Sequence, residues 1–398
     1  MNKLSRRGFL RLGGAALASL GIPIIARATS LPSGNTYGVS ASALPRWVAA
    51  RQRVLSGQGI ARVLCIGDST TYGSGGPDMT GDADEYLYCY PTQLANMLSY
   101  LGIPANANGF AWGPPSGAAV RALTDPRVSA DAGWGFYTAD PTLGGYLARS
   151  VTPGATLSYT PDNACDTWRM WTVQNVGHGT IKAIVGGSSQ AINTSVGPAQ
   201  YTSFDIHAAG PTLRLSNAGS APIYIAAIES WNSQSPSVVI TNAGWPGSRL
   251  GDWAGVNSQA SANNPLTAAL AFKPDLYIID AGINDWYKGT PVSTFTSQLN
   301  AFLTALHGVA DVILVSGVPS NPGASGTSSQ ANQQAFVTAM KNAAAMHGIP
   351  FVDNWTRWGA WYNNRQMYSQ NPIATDLHPG AAGYLHYAQP IAQVLAGV

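Results

Sequence analysis

A recurring pattern constrains this chain more than any other: short apolar runs, each ending in glycine or a small polar cluster and each set off from the next by a helical stretch. Val63-Leu64-Cys65-Ile66 breaks at Gly67-Asp68-Ser69-Thr70-Thr71, and Val238-Val239-Ile240-Thr241 breaks at Asn242 to Ser248. Asp275 to Asp280 breaks at Ala281 to Asp285, Asp311 to Ser316 follows, and Ile349 to Asp353 is the last such run. A strand apolar along its whole length must be covered on both faces, which is the condition of a parallel sheet between helical layers. The intervening periodicity supplies those layers. Pro45 to Val54 predicts a short helix, Pro91 to Leu101 one with proline in its first turn and Gly102 as its stop, and Thr294 to Val309, Gln330 to His347 and Gly380 to Leu395 predict three more. The expected fold class is therefore α/β, a parallel sheet in a three-layer α/β/α arrangement. In such folds ligands bind at the carboxyl edge of the strands, where the polar clusters lie.

Between about Asn106 and Ser237 the helical period disappears. Thr156 to Tyr159, Thr167 to Val173, Ile181 to Val185, Tyr201 to Ile206, Thr212 to Leu215 and Ile223 to Ile228 are short alternating runs separated by Gly, Pro, Asn and Ser. Regularly spaced strands of this kind predict a jelly-roll-like β-sandwich inserted into the α/β body. The expected division is a first α/β part at 29–105, the insertion at 106–236 and a second α/β part at 237–398.

Residues 1–28 hold Lys3, Arg6, Arg7, Arg11 and Arg27 and no acidic residue. Ser5-Arg6-Arg7-Gly8-Phe9-Leu10, an apolar Gly/Ala-rich run and Ala26-Arg27-Ala28 look like a twin-arginine export signal with a small-residue cleavage site. The expectation is a periplasmic or extracellular protein with no stable membrane insertion once the signal is removed. Setting those five charges aside turns the formal net charge of +2 into −3. A mildly acidic body with scattered cations gives no footprint for nucleic acid. No metal or cofactor is expected: Asp82, Asp84 and Glu85 lack the spacing of a calcium loop, and Cys65, Cys89 and Cys165 lack that of a zinc site. Whether Cys89 and Cys165 pair is left open.

Ser69 follows a strand, where its hydroxyl either caps a helix or faces the ligand edge. A nucleophilic serine needs a base and donors for the oxyanion of acyl transfer. His378, in Asp376-Leu377-His378-Pro379, supplies an imidazole suited to take the Ser69 proton. Gly247 supplies a backbone N–H unshielded by a side chain, and Asn284 a side-chain amide.

These blocks together resemble the SGNH/GDSL hydrolase superfamily: Gly67-Asp68-Ser69, Asn242 through Gly247, Gly282-x-Asn284-Asp285 and Asp376-Leu377-His378-Pro379, in the family's order and at strand ends. The resemblance covers residues 60–104 and 237–398 and implies a flavodoxin-like parallel sheet. It implies that Ser69 is the nucleophile and an oxyanion donor, that Gly247 and Asn284 complete the oxyanion hole, and that His378 is the base. One position departs from the family's pattern. The triad acid usually stands three residues before the histidine, where this chain has Thr375. Asp376, two residues before, is the expected acid, and a backbone carbonyl orienting the imidazole is the alternative.

The remaining conspicuous residues have quieter readings. His307-Gly308 and His347-Gly348 suit helix ends, His386 suits packing on the last helix, His178 and His207 belong to the insertion, and Asp68 braces the serine turn. Trp245 and Trp286 flank the oxyanion blocks and are expected to line the cleft. The twelve tryptophans, many neutral polar residues and export together point to a carbohydrate O-acetylesterase acting on an acylated small molecule or polysaccharide. A lipase, arylesterase or lysophospholipase is the alternative enzyme, and a non-catalytic glycan-binding protein the alternative of another class. The glycan, the acyl length and the oligomeric state are not specified by the sequence.

Overall fold

The computed structural model describes residues 34–76, 85–112, 125–137, 139, 141–255, 264–321, 330–369 and 377–398. The expected export signal at 1–28 and Asp376 lie outside them. Among the described residues ten strands form one sheet, in the order 36–37, 351–352, 311–316, 276–281, 61–67, 238–244, 105–111, 227–231, 165–174 and 200–210. From Phe351–Val352 across to Ala105–Ala111 the neighbours run parallel. The protein has the α/β fold expected of it.

Alternation along these strands shows why they had to be apolar on both sides. Leu64 and Ile66 face one layer with Tyr277, Ile279, Val312 and Leu314, against helices Pro265–Phe272, Val292–His307 and Gln330–His347. Val63 and Cys65 face the other with Ile240, Ile278, Ile313 and Val315, against helices Pro45–Leu55, Tyr90–Tyr100 and Ala381–Gly397. Period-two side chains thus serve two cores at once. No described helix is long and apolar enough to cross a membrane.

The β-rich segment is joined to this body through the sheet itself. Ala105–Ala111 pairs with the parallel strand Val238–Gly244, so the expected division at 105/106 runs through it. Ala227–Trp231, Cys165–Gln174 and Gln200–Gly210 then extend the same sheet in antiparallel fashion. Two further antiparallel sheets, of five and three strands, complete the segment. The extended strands share one core with the five-stranded sheet, through Trp168, Met170 and Ile206 on one side and Leu157, Ile181, Ala183, Leu213 and Leu215 on the other. The run Ile223 to Ile228, expected as one strand, is two. Ile223–Ile225 pairs with Leu147–Ser150 in the small sheet, and Ala227–Trp231 joins the large one. Between them Ala226 is held by donating to Trp171 at 2.8 Å.

A buried ion pair braces this junction. Glu229, with no exposed surface, accepts from the Arg62 guanidinium at 2.6 and 3.1 Å, from Trp171 Nε1 at 3.0 Å and from Thr241 Oγ1 at 3.2 Å. Arg62 belongs to the strand that leads to Ser69, and its guanidinium lies 4.3 Å from the Phe272 ring centroid. All three cysteines are buried and unpaired. Cys89 Sγ faces the Thr92 hydroxyl and Cys165 Sγ the Ser230 hydroxyl.

Removing one partner of a buried ion pair strands the other charge, which costs about 3–5 kcal/mol. Glu229→Ala is therefore expected to lower the unfolding free energy by about that amount, measured by urea denaturation, whereas Arg169→Ala, which breaks the more open pair with Asp205, is expected to cost about 1 kcal/mol or less.

Candidate active site

The strand Ala61–Gly67 ends beside its two parallel neighbours, and the chain turns at once into a one-turn helix, Ser69–Tyr72. Asp68 caps that turn, its carboxylate accepting from Thr70 N at 2.9 Å. The serine is thus fixed at the sheet's carboxyl edge, as the first helical residue, whose N–H has no intrahelical acceptor. Burial pushes the Asp68 carboxyl up to about 7, the Thr70 bonds pulling the other way. Asp280, buried at the end of the neighbouring strand, is raised well above the carboxylate range by burial and by the Asp68 charge.

His378 reaches this serine from the far end of the chain. Its Nε2 lies 2.8 Å from Ser69 Oγ. The segment that carries it is clamped from two sides. Ser369 N donates to the His378 carbonyl at 3.0 Å, and Gly380 N donates to the Met367 carbonyl at 2.9 Å. Tyr384, on the following helix, donates its hydroxyl to the Ser74 carbonyl at 2.5 Å, tying the histidine segment to the loop after the serine. Gly75 in that loop has φ +95°, and a Cβ there would stand 2.6 Å from His378 Cβ. The histidine can pack where it does only because position 75 has no side chain.

Burial lowers the His378 pKa to about 4, so the ring is neutral near pH 7 and able to accept a proton. With Nε2 directed at the serine hydroxyl, the ring proton belongs on Nδ1. That nitrogen is buried without a partner among the described residues. An orphaned buried donor costs about 1–3 kcal/mol, so Nδ1 marks where an orienting acceptor belongs.

The two expected oxyanion donors arrive on the strands either side of the serine strand. Val238–Gly244 runs in register with it, Gly244 opposite Gly67, and Trp245 N donates to the Gly67 carbonyl at 2.8 Å. Trp245-Pro246-Gly247-Ser248 then closes a turn through Ser248 N to the Trp245 carbonyl at 3.0 Å. Gly247 has φ +77°, and with proline before it this fits a type II turn, whose third position requires positive φ. On the other side Leu276–Ala281 leads into the short helix Ile283–Tyr287, which carries Asn284. The Asn284 amide is largely buried and donates one hydrogen to the Ser248 carbonyl at 2.9 Å. The four stretches that the sequence singled out therefore meet at one edge of the sheet, except for Asp376, which is outside the described residues.

Of the two expected aromatic walls, only Trp245 is half-open, its ring meeting Trp253 edge-on at 5.9 Å. Trp286 is 2% exposed and belongs to the core. On a one-turn helix the residue two after Asn284 points away from it, into the layer beneath, so the expectation for Trp286 is corrected. His178, His347 and His386 are held elsewhere, by the Val173 carbonyl, Asn300 and Arg357 respectively. Gly75 is the residue that the sequence did not single out. Its signal was the glycine-dense stretch Gly73-Ser74-Gly75-Gly76, which reads equally well as an ordinary loop.

Residues 208–385 match the model of the GDSL-like Lipase/Acylhydrolase family, a span that includes Gly247, Asn284 and His378 and leaves out Ser69. Among solved structures, a peptidoglycan O-acetylesterase is similar with a TM-score of 0.68 and 19% identity, over 90% of this chain and 97% of that one. That likeness shows a shared fold, the β-rich segment included in its span. A lipase/acylhydrolase from Enterococcus faecalis is similar with a TM-score of 0.34 and 22% identity, over 40% of this chain and 77% of that one. No curated protein matches the chain.

Gly75→Ala is expected to displace His378 and slow the labelling of Ser69 by a fluorophosphonate by about 100-fold, the usual cost of an ångström-scale misplacement. Gly57→Ala takes on the same kind of backbone strain, at φ +71°, with nothing within 4 Å, and is expected to label at the wild-type rate.

Proposed function

We propose that the protein is a serine esterase that hydrolyses carboxylic esters through an acyl-enzyme. The observation that carries this reading is the 2.8 Å contact between Ser69 Oγ and His378 Nε2 at a strand edge flanked by Gly247 and Asn284. The match to the lipase/acylhydrolase family model supports it. His378, neutral through burial, takes the Ser69 proton as Oγ attacks the ester carbonyl. The negative charge that develops on the carbonyl oxygen meets the N–H groups of Ser69 and Gly247 and the second amide hydrogen of Asn284. Collapse expels the alcohol, protonated by His378, and water then repeats the sequence on the acyl-enzyme. Asp376 is the orienting acid in this scheme. It is two residues before His378, and Nδ1–H, which has no partner among the described residues, is the donor it would accept from.

The substrate class we favour is an O-acetylated carbohydrate, met outside the cytoplasm after twin-arginine export. The half-open Trp245 beside the oxyanion turn supports a sugar-facing rim. Longer-chain esters are the competing class, since the matched family spans lipases. Acetate release from a panel of acetylated polysaccharides, with Ser69→Ala as control, tests the reading. A marked preference for p-nitrophenyl octanoate over acetate would count against the carbohydrate deacetylase. Failure of a fluorophosphonate to label Ser69 would favour a glycan-binding protein that does no chemistry.

The acid has its own signature. A carboxylate at Nδ1 favours the imidazolium, so it raises the histidine pKa against the effect of burial. Asp376→Asn is expected to lower kcat/KM by about 100-fold or more and to move the acid limb of its pH profile, where His378 becomes protonated and inactive, downward by about one unit or more. A limb that stays in place would assign the orienting contact to a backbone carbonyl.

A further inference from the structure

The two oxyanion donors stand on separate loops, and their spacing is only as good as the contacts that join those loops. Gly247 is exposed, and the side on which a side chain would stand is open. A Cβ built there would find a single heavy atom within 4 Å, the Lys288 ammonium nitrogen at 3.9 Å. That ammonium donates to the Gly247 carbonyl at 2.5 Å. Lys288 is also the residue that ends the Asn284 helix, its own N–H donating to the Asn284 carbonyl at 2.9 Å. One residue thus grips the Asn284 segment through its backbone and the Gly247 turn through its side chain. The other printed ties between the two segments hold the turn's exit: Asn284 Nδ2 donates to the next carbonyl, Ser248, at 2.9 Å, and Leu250 N donates to the Asp285 carboxylate at 2.9 Å.

We propose that Lys288 is a positioning residue of the oxyanion hole, holding the Gly247 turn at a fixed distance and angle from Asn284. The proposal rests on the esterase reading above. The turn is anchored at its entry by Trp245 N on the Gly67 carbonyl and at its exit by the Ser248 and Leu250 bonds, and Lys288 adds the tie at the Gly247 carbonyl itself. The position needs such a restraint because Gly247, at positive φ, has the broadest backbone freedom of any residue type. An ammonium-to-carbonyl bond is charge-assisted. Lys288 does not touch the reacting atoms, and its contribution appears only when an oxyanion forms, because the ester in its ground state makes little demand on the hole.

The test compares Lys288→Met, which keeps the length of the stem and loses the donor, with Lys288→Arg, which keeps the donor, on p-nitrophenyl acetate. Deleting an oxyanion donor outright costs about 100- to 1000-fold in kcat, and loosening one is expected to cost less. Lys288→Met should lower kcat by about 10-fold, leave KM within about 2-fold, and weaken binding of a methylboronic acid, which places a tetrahedral oxyanion on the serine, by the same factor as kcat/KM. Lys288→Arg should recover most of both losses, and the melting temperature should be that of the wild type throughout. A Lys288→Met enzyme with wild-type kcat, a loss confined to KM, or a loss that follows a drop in melting temperature would overturn the proposal. Wild-type protein with no Ser69-dependent hydrolysis would overturn the esterase reading itself, a failure distinct from these.

Discussion

A hydrogen bond between residues 309 positions apart, Ser69 to His378 at 2.8 Å, is the contact on which the site depends. Neither residue can secure it alone. The serine is held by a strand whose two faces are locked into different cores and by a one-turn helix capped by Asp68. The histidine is held by a short backbone clamp with Met367 and Ser369 and by the Tyr384 hydroxyl on the Ser74 carbonyl. The parallel sheet brings the strand ends to one edge, and local packing of Gly75 against His378 sets the last ångström.

The same edge concentrates buried carboxyl groups. Asp68, Asp280 and Asp285 all stand within or beside the turns that follow the strands, and all are shifted upward by burial. Asp285 accepts from Leu250 N at 2.9 Å and so joins the asparagine helix to the segment after the glycine turn. These acids do for the loops what Glu229 does for the sheet. They accept from backbone and side-chain donors that a purely apolar interior would leave orphaned.

Much of this was legible in the sequence because both-sided burial leaves a mark. A strand such as Leu276 to Ala281 has no polar face to show, and no other architecture wants a run like it in alternation with helices. The stretches around Ser69, Gly247, Asn284 and His378, which meet at the sheet's edge, stood out because acyl transfer restricts which residue types can serve it. What was hidden was pairing. A run such as Thr167 to Val173 alternates in the same way whether its neighbour is a partner in a separate sandwich or the edge of the main sheet, so the continuity of the ten-stranded sheet could not be seen. The split at Ala226 was invisible for the same reason, since both halves are apolar and buried. Trp286 misled because nearness in sequence to Asn284 says nothing about direction on a one-turn helix. Lys288 carried no signal at all, being an ordinary exposed lysine until the fold sets a carbonyl within its reach.

That continuity bears on how the molecule can be divided. Where an accessory module hangs from a linker, evolution or an engineer can trim it away and leave the remainder intact. Here the end of the strand Ala105–Ala111 pairs with the antiparallel strand Ala227–Trp231, Phe110 opposite Ile228 and Ala111 opposite Ala227. Cutting out residues 106–236 would take most of Ala105–Ala111 with it and leave Val238–Gly244 as an open sheet edge, a template for pairing with other chains. It would also leave Arg62 without Glu229, in the strand that aims the serine. The chain has two textures, and one sheet runs through both.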